Sequence, residues 1–428
     1  MRRVRPLSSR RLPGTACRPG SGRLGTYDAV TESVGIVERT ELADPASDFL
    51  PFAVPDIGEE EIAAVVEAMR SGWLTTGPEA AGFEDDFRQA LGGHVQAIAV
   101  NSATAGLHLA LEALGVGPGD SVLVPTWTFT ATAEVVRYLG AEPIFVDVDE
   151  ATLNMDLDAA SALMEPRTTA IQPVHFGGLP MGRGALSEFA DRHGLAVVED
   201  AAHAFPALSD GVAVGAGSSA ATVFSFYATK TMTTGEGGML VTPHEHIAAR
   251  ARTMRLHGIS RDVFQRYRST SPAWNYEVVA PGFKYNLTDP AAAMGRVQLR
   301  RAPAMRASRE SIAERYFRGL VDLPIQLPPR AAPDDTHAWH LFVIRMTSES
   351  PLSRDRFIER MAEEGVGCSV HFIPLHLQPY WRDRYSLKPA DLPVATAEFS
   401  KVVSLPLFSG MTAAQVDRVV EVAHRVLE

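Results

Sequence analysis

The chain has 428 residues, of which 46% are hydrophobic and 21% are charged, and its formal net charge at pH 7 is -11. This length allows a large core in two domains, and the acidic balance argues against a broad nucleic-acid interface. The two cysteines, Cys17 and Cys368, argue against a disulfide framework and an all-cysteine metal site, and no metal site is expected. The sequence contains no run of about 18 apolar residues, so no membrane span is predicted and a cytoplasmic location is expected.

Residues 1–50 are predicted to form an extension outside the folded part of the chain. Seven arginines precede the first acidic residue, Asp28, and proline, glycine and serine are frequent among them. No apolar segment follows Arg2 and Arg3, as an export signal would require. We therefore expect a disordered tail, or a start codon assigned too far upstream, with a basic partner-binding arm as the alternative.

From Phe52 onward, helical and strand patterns alternate. The run IGEEEIAAVVEAMRSG has apolar residues at helical spacing, the turn-rich run GWLTTGPEA follows it, and AGFEDDFRQALGG predicts a second helix. The short apolar runs QAIAV, SVLVP, EPIFVDVD, TAIQPVHF and LAVVED then predict strands, with helical patterns between several of them. This alternation predicts an α/β fold with a mainly parallel sheet and ligands at the carboxyl ends of its strands.

The pattern changes after ATVFSF and GGMLVT, which end the strand-rich block near Val241. A long helix is predicted from about Asp289 to Leu320, followed by the proline-rich run LPIQLPPRAAP and the strand pattern HAWHLFVIRM. We expect a large domain over residues 51–300 and a smaller α+β domain over residues 301–428.

Lys230 and Asp200 form the most informative pair in the sequence. Asp200 ends the apolar run LAVVED, and Lys230 follows the strand ATVFSF and precedes TGEGG. A pyridoxal phosphate (PLP) enzyme needs a lysine that bonds the cofactor aldehyde and a carboxylate that keeps the pyridine nitrogen protonated. Taken alone, Asp200 fits better as the N-cap of a helix over AAHAF, and the lysine one strand later reverses that order. Glu199 points to the opposite face of the strand and is a poorer candidate.

Other candidates surround this pair. NSATAG joins a strand to a helix, so its small residues and the helix N-terminus could bind a phosphate, and Ser225 could add a hydroxyl. His203 could contact the cofactor ring or be an ordinary core or surface histidine. Trp127 and Phe129, just after a strand, could each stack on the ring or pack in the core.

These runs together resemble the DegT/DnrJ/StrS sugar-nucleotide aminotransferases, which have the aspartate aminotransferase-like fold type I of PLP enzymes. The resemblance covers about residue 51 to the C-terminus and is carried by SGWLTTGP, NSATAGLHLAL, VPTWTFTATA, VVEDAAHA, FSFYATKTMTTGEGG, PGFKYNLTDPAAA, HAWHLFVIR, HFIPLHLQPYW and SLPLF. It implies a mainly parallel seven-stranded sheet in the large domain. Within the group, KYNLTD and EDAAHA are most similar to the UDP-4-amino-4-deoxy-L-arabinose–oxoglutarate aminotransferases. Gly182 and Arg183 depart from the group, which usually has aspartate nearby.

The resemblance also implies roles for individual positions. Lys230 would bond the cofactor aldehyde and carry the proton shifts, and Asp200 would pair with the pyridine nitrogen. The remaining implied cofactor contacts are Phe129 and His203 at the ring, Ala103, Thr104 and Ser225 at the phosphate, and Asn286. The implied substrate contacts are Lys284, His371, His376, Trp73 and Thr75. A solvated loop is the alternative for Lys284 and Asn286.

The activity implied is transfer of an amino group from L-glutamate, which leaves as 2-oxoglutarate, to a nucleotide-linked keto sugar. The acceptor would be a 4-keto sugar linked to UDP or dTDP. The run GFKYN would reach the neighbouring subunit, which implies a homodimer with shared active sites. Two alternatives remain: a PLP-dependent sugar dehydratase and a PLP-binding regulator without turnover. The presence of Lys230 argues against the first, because dehydratases of this fold lack the lysine or use an iron–sulfur cluster.

Overall fold

The computed structural model describes residues 49–260 and 276–428. Most of the predicted N-terminal extension, residues 1–48, lies outside the described residues. The α-helices are α1 Glu59–Arg70, α2 Pro78–Ala90, α3 Ala103–Ala113, α4 Ala131–Tyr138, α5 Leu157–Ala162, α6 Arg183–His193, α7 Glu245–Met254, α8 Asp289–Gly319, α9 Arg354–Glu363, α10 Pro379–Tyr385, α11 Pro393–Phe399 and α12 Ala413–Leu427. The strands are β1 Gln96–Val100, β2 Ser121–Pro125, β3 Glu142–Val146, β4 Thr168–Ile171, β5 Ala196–Asp200, β6 Leu208–Ser209, β7 Val212–Ala213, β8 Ala221–Ser225, β9 Gly238–Thr242, β10 Ile325–Gln326, β11 Phe342–Met346 and β12 Val402–Leu405.

A seven-stranded sheet forms the centre of the fold, in the order β1-β9-β8-β5-β4-β2-β3. Its pairs are parallel except for those made by β9, which runs antiparallel to both β1 and β8. The mainly parallel seven-stranded sheet is thereby confirmed. The strands are short apolar runs buried on both faces, as helices on both sides of a sheet require. Because β9 is reversed, its amino end lies at the same edge as the carboxyl ends of the other six strands.

A second, three-stranded sheet in the order β10-β11-β12 lies in the C-terminal part of the chain. It packs with α9, α12 and the end of α8 around a buried cluster that includes Tyr316, Phe342 and Phe357. The fully buried Tyr316 donates its hydroxyl to the carbonyl of Pro406 at 2.7 Å. The predicted domain boundary between residues 300 and 301 falls inside α8, and the division into two domains remains a prediction. No helix among residues 49–260 and 276–428 has the length and apolar character that a membrane crossing requires.

Asp289, at the start of α8, caps the amino end of α2 with its side chain. Its buried carboxylate accepts hydrogen bonds from the backbone N–H groups of Gly77 at 2.7 Å and of Glu79 and Ala80 at 3.1 Å. The first N–H groups of a helix have no acceptor within the helix, so Asp289 supplies one from a distant part of the chain. The loop before α2, which carries Trp73 and Thr75, is thus tied to the KYNLTD run.

Replacing Asp289 with alanine is therefore expected to destabilise the fold by about 2 kcal/mol, because buried N–H groups would lose a charged acceptor. The measurement is the shift of the urea midpoint at fixed protein concentration. Asp85→Ala is the matched control, since Asp85 forms an ion pair with Arg88 while its side chain is 60% exposed. That control should change the unfolding free energy by less than about 0.5 kcal/mol. Equal shifts for the two variants would contradict the capping role.

Candidate active site

A cavity of about 500 Å³ opens at the edge of the large sheet where its parallel strands end. Side chains after β1, β2, β5 and β8 meet there, and Glu236 and Gly237 enter just before the reversed strand β9. Seven of the residues singled out in the sequence for catalysis or cofactor binding line this cavity: Ala103, Thr104, Phe129, Asp200, His203, Ser225 and Lys230. The cavity is therefore the place where the sequence candidates converge.

Lys230 follows β8 in a tight turn, in which its N–H donates to the carbonyl of Tyr227 at 3.0 Å. Burial lowers the pKa of the Lys230 amine from its ordinary value to about 8, while the charge of Asp200 opposes this shift. A substantial fraction of the amine is consequently neutral near pH 8, and a neutral amine can attack an aldehyde or accept a proton.

Asp200 is held at the carboxyl end of β5 and is 6% exposed. Its carboxylate accepts hydrogen bonds from Thr132 Oγ1 at 2.8 Å and from the N–H of Ala202 at 3.1 Å. Burial raises the pKa of Asp200, and these two hydrogen bonds act in the opposite direction. A nearby cation would stabilise the buried charge further. The residues after Asp200 form turns rather than a helix, so the N-cap interpretation is wrong.

Glu199 points to the other side of β5, as its alternation with Asp200 indicated. It accepts hydrogen bonds from His175 Nε2 at 2.8 Å and Thr222 Oγ1 at 3.0 Å. His175 in turn accepts the N–H of Met181 at its Nδ1, at 3.1 Å. Glu199 is thereby engaged in the interior on the side of β5 away from the cavity.

The amino end of α3 forms one wall of the cavity. Ser102 is the N-cap, and its hydroxyl accepts the N–H of Ala105 at 3.1 Å. Ala103 and Thr104 occupy the first turn, where backbone N–H groups have no intrahelical acceptor and favour an anion. Gly238 lies directly behind them, and a Cβ there would approach the backbone of Ser102 and Ala103 within 2.7–2.8 Å. Glycine is therefore required at the start of β9.

The two aromatic candidates after β2, Phe129 and Trp127, have different environments in the structure. Phe129 lines the cavity with its side chain 58% exposed, and its ring lies 5.7 Å from that of Phe372. Trp127 is fully buried and donates its Nε1–H to the carbonyl of His371 at 3.0 Å. Of these two side chains, Phe129 is thus the one available to a ligand, whereas Trp127 fixes the backbone of His371. His371 itself lines the cavity, stacked on Phe52.

Five of the sequence candidates do not line this cavity. Four of them, Trp73, Thr75, Lys284 and Asn286, lie together elsewhere: Asn286 donates to Thr76 Oγ1 at 2.7 Å, and Lys284 Nζ donates to Asn286 Oδ1 at 2.6 Å. Asn286 and Thr76 line a separate cavity of about 290 Å³. His376, implied to line the sugar end, is fully buried instead. Its ring nitrogens contact the hydroxyls of Thr126 and Thr396, both at 2.8 Å, so its placement is a correction to that expectation.

Several cavity residues carried no assigned role in the sequence, among them Tyr227, Thr229, Glu236, His340 and Phe372. His340 could have been noticed, because the run HAWHLFVIR repeats histidine just before a strand. Tyr227 and Thr229 lie within the same turn as Lys230. Phe372 had no signal beyond its position next to His371, since its approach to the cavity depends on tertiary packing.

The fold and the cavity define a PLP-dependent enzyme of the aspartate aminotransferase-like class. The chain belongs to the DegT/DnrJ/EryC1/StrS aminotransferase family, whose sequence model matches residues 55–424. It is similar to the spore coat polysaccharide biosynthesis protein SpsC of Bacillus subtilis (strain 168), with 43% identity over 382 residues that cover 89% of this chain and 97% of SpsC.

Solved structures agree with this assignment. Spr1654 of Streptococcus pneumoniae, a candidate sugar aminotransferase solved in PMP and PLP forms, shares 31% identity. Its PMP form superposes with a TM-score of 0.82, covering 88% of this chain and 100% of Spr1654. The aminotransferase TlmJ of Streptoalloteichus hindustanus shares 34% identity with a TM-score of 0.80, covering 88% and 98% of the two chains. The cofactor is therefore pyridoxal 5'-phosphate.

The lowered pKa of Lys230 leads to a pH prediction. Only the neutral amine bonds the cofactor aldehyde, so the rate of PLP uptake by cofactor-free enzyme is expected to rise with pH through a midpoint near 8 and then to level off. In Asp200→Asn the opposing charge is gone, so the plateau should begin at a lower pH. The measurement is the pH profile of the uptake rate. A midpoint near the ordinary lysine pKa of 10.5 would contradict the account.

Proposed function

We propose that this aminotransferase moves an amino group from L-glutamate to a nucleotide-linked keto sugar, a 4-keto sugar carried by UDP or dTDP. The observation that carries the proposal is the convergence of Lys230, Asp200 and the amino end of α3 on one cavity. The named relatives support a sugar substrate: SpsC belongs to spore coat polysaccharide biosynthesis. PseC of Helicobacter pylori, at 25% identity and a TM-score of 0.81, is an aminotransferase of pseudoaminic acid biosynthesis.

The donor set of the cavity fits PLP. The first turn of α3 and the Ser225 hydroxyl offer N–H and O–H groups to its phosphate, and Phe129 offers an exposed ring face. The buried Asp200 carboxylate would pair with the protonated pyridine nitrogen, a cation that offsets the cost of its burial. His203 borders the same space and would contact the ring or its phenolic oxygen.

When bound, PLP supplies an electron-poor ring that stabilises negative charge on the carbon next to the transferred nitrogen. The chain's own residues would hold the cofactor and move the protons. Lys230 would hold the cofactor through its aldehyde, and its amine would carry the proton off and onto the substrate carbon. Its lowered pKa suits both directions of transfer near neutral pH. Asp200 would keep the pyridine nitrogen protonated throughout.

The group formed by Trp73, Thr75, Lys284 and Asn286, which does not line the cavity of its own chain, is proposed to complete the site of a second copy in a homodimer. Lys284 and Asn286 lie in a segment with exposed apolar side chains, Val278 at 63% and Val279 at 55%. Lys284 could offer its ammonium to the substrate diphosphate of the partner, and Trp73 and Thr75 could contact the sugar nucleotide. His371 would line the sugar end of the cavity in its own chain. The arabinose-type substrate and the cytoplasmic location remain predictions.

A substrate panel tests the proposed function. Holoenzyme is incubated with L-glutamate and each of several UDP- and dTDP-linked 3-keto and 4-keto sugars, and the sugar product is identified by mass. Amination of at least one 4-keto nucleotide sugar, with 2-oxoglutarate formed in equal amount, is the expected result. A dehydrated sugar without nitrogen would favour the dehydratase. A holoenzyme that binds PLP and yields no product with any donor or acceptor would favour the regulator.

A further inference from the structure

Glu236 is a charged residue of the cavity to which the proposed mechanism gives no role. It is exposed, and it lines the cavity together with Lys230 and Asp200. No other lysine, arginine, aspartate or glutamate among the described residues lines this cavity. The carboxylate of Glu236 has no hydrogen bond or ion pair to any residue in the ranges 49–260 and 276–428. A charged group at a binding cavity with no partner in its own chain is available to a ligand.

The turn that carries Glu236 is fixed at its base. The N–H of Phe226 donates to the carbonyl of Gly237 at 2.9 Å, and the N–H of Thr234 donates to the carbonyl of Phe226 at 3.0 Å. Thr234 also donates its hydroxyl to the carbonyl of Glu236 at 2.7 Å. Because Phe226 and Thr234 are buried, these hydrogen bonds are shielded from water. They hold the backbone of Glu236 in one position at the cavity.

The side chain of Glu236 is not required by this turn. Its two neighbours are glycines that the backbone requires: Gly235 has φ +77°, and a Cβ at Gly237 would lie 2.2 Å from Thr234 Oγ1. The side chain of Glu236, in contrast, makes no polar contact that would stabilise the turn. The fold therefore explains both glycines and leaves the carboxylate between them without a structural role.

The chemistry of a carboxylate limits what Glu236 can bind. An ionised carboxylate only accepts hydrogen bonds, so its ligand must bring donor hydrogens or a positive charge. It repels the cofactor phosphate, the substrate diphosphate and the carboxylates of L-glutamate, because all of these are anions. The sugar ring is the part of the proposed substrate that carries hydroxyl groups and no charge. Phe129 and Phe372, whose rings lie 5.7 Å apart at the same cavity, add apolar surface against which a sugar ring can pack.

We propose that Glu236 is a specificity-determining residue, whose carboxylate accepts hydrogen bonds from the hydroxyl groups of the acceptor sugar. Its negative charge keeps the diphosphate away from the same part of the cavity, so Glu236 sets the orientation of the sugar nucleotide. This inference rests on the proposed function, because it requires a sugar in the cavity. Glu236 takes no part in the proton transfers, which belong to Lys230.

Binding of nucleotide sugars that lack a keto group tests this inference without turnover. Dissociation constants of UDP-glucose and dTDP-glucose, and of UDP and dTDP alone, are measured by calorimetry on holoenzyme. For the nucleotide sugar that binds more tightly, we expect Glu236→Ala to raise the dissociation constant at least about tenfold, and that of the matching bare nucleotide to change less than about twofold. Glu236→Gln, which keeps a neutral acceptor, should give an intermediate loss. Glu188→Ala is the control and should change neither constant, since Glu188 lies outside the cavity with its side chain 74% exposed.

An equal loss for the nucleotide sugar and the bare nucleotide, or no loss for either, would overturn the inference, as would failure of both nucleotide sugars to bind. Thermal midpoints of the variants separate a folding defect from a change at the site. Failure of the proposed function is a different result. Sugar binding that depends on Glu236, in an enzyme that aminates no keto sugar of the panel, would retain the sugar contact and reject the amino transfer. Amination that proceeds unchanged in Glu236→Ala would retain the function and reject the contact.

Discussion

Replacing Lys230 with alanine is expected to lower kcat/KM by at least about 10³-fold, because proton transfer by one positioned group contributes about 10²–10⁴-fold and the covalent link to the cofactor is lost as well. Lys230→Arg is expected to lower kcat/KM to a similar extent, because a guanidinium remains protonated and cannot accept the substrate proton. The visible absorption of the lysine-bound cofactor should disappear in both variants. Steady-state kinetics with L-glutamate and absorption spectra are the measurements.

Two controls sharpen this experiment. Lys388 is exposed and lies outside the cavity, so Lys388→Ala should keep full activity and the normal spectrum. Adding a small primary amine to Lys230→Ala should restore part of the rate, because the cavity vacated by the side chain can admit a replacement base. Turnover of Lys230→Ala within a few-fold of the unchanged enzyme would rule out the mechanism.

Replacing Asp200 with asparagine is expected to lower kcat/KM by about 10²–10³-fold, because removing one member of a buried charge pair costs about 2–5 kcal/mol. The substitution keeps the shape of the side chain and removes its charge, so the pyridine nitrogen would lose its counter-ion. PLP affinity should fall together with the rate. Kinetics and PLP dissociation constants measured on the same preparations check this.

Thr132→Val is the matched variant for Asp200→Asn. Thr132 donates its hydroxyl to the Asp200 carboxylate at 2.8 Å, so the substitution removes one hydrogen bond and leaves the charge in place. Its effect should be about five- to tenfold, far smaller than that of Asp200→Asn. A Thr132→Val enzyme impaired as severely as Asp200→Asn would indicate that position rather than charge matters at this carboxylate.

The sheet and its ligand-binding edge could be predicted from the sequence because they depend on local patterns. Short apolar runs alternating with helical patterns predict parallel strands, and candidates such as Asp200 and Ser225 end such runs. The strands then bring these residues to one edge, whatever their separation in the chain. Lys230 could be found for the same reason, since it follows the strand that ends in Ser225.

The errors arise where tertiary packing decides. His376 lies only five residues after His371, yet it is fully buried between two threonine hydroxyls while His371 reaches the cavity. No periodicity in HFIPLHLQP distinguishes the two. The repeated histidine in HAWHLFVIR draws attention to His340, but the approach of His340 to His203 depends on the glycine turn at 177–178 and on the left-handed backbone of Trp339. Such contacts between distant segments have no local signature.

If Lys230 and Asp200 support an amino transfer in two halves, the first half can be observed without any sugar. Holoenzyme is mixed with L-glutamate in the absence of any sugar, and 2-oxoglutarate is quantified against the concentration of Lys230 sites. We expect one equivalent of 2-oxoglutarate per site, with loss of the lysine-bound absorption, and recovery of that absorption when a keto nucleotide sugar is added. Absence of 2-oxoglutarate, with the absorption unchanged by L-glutamate, would contradict it.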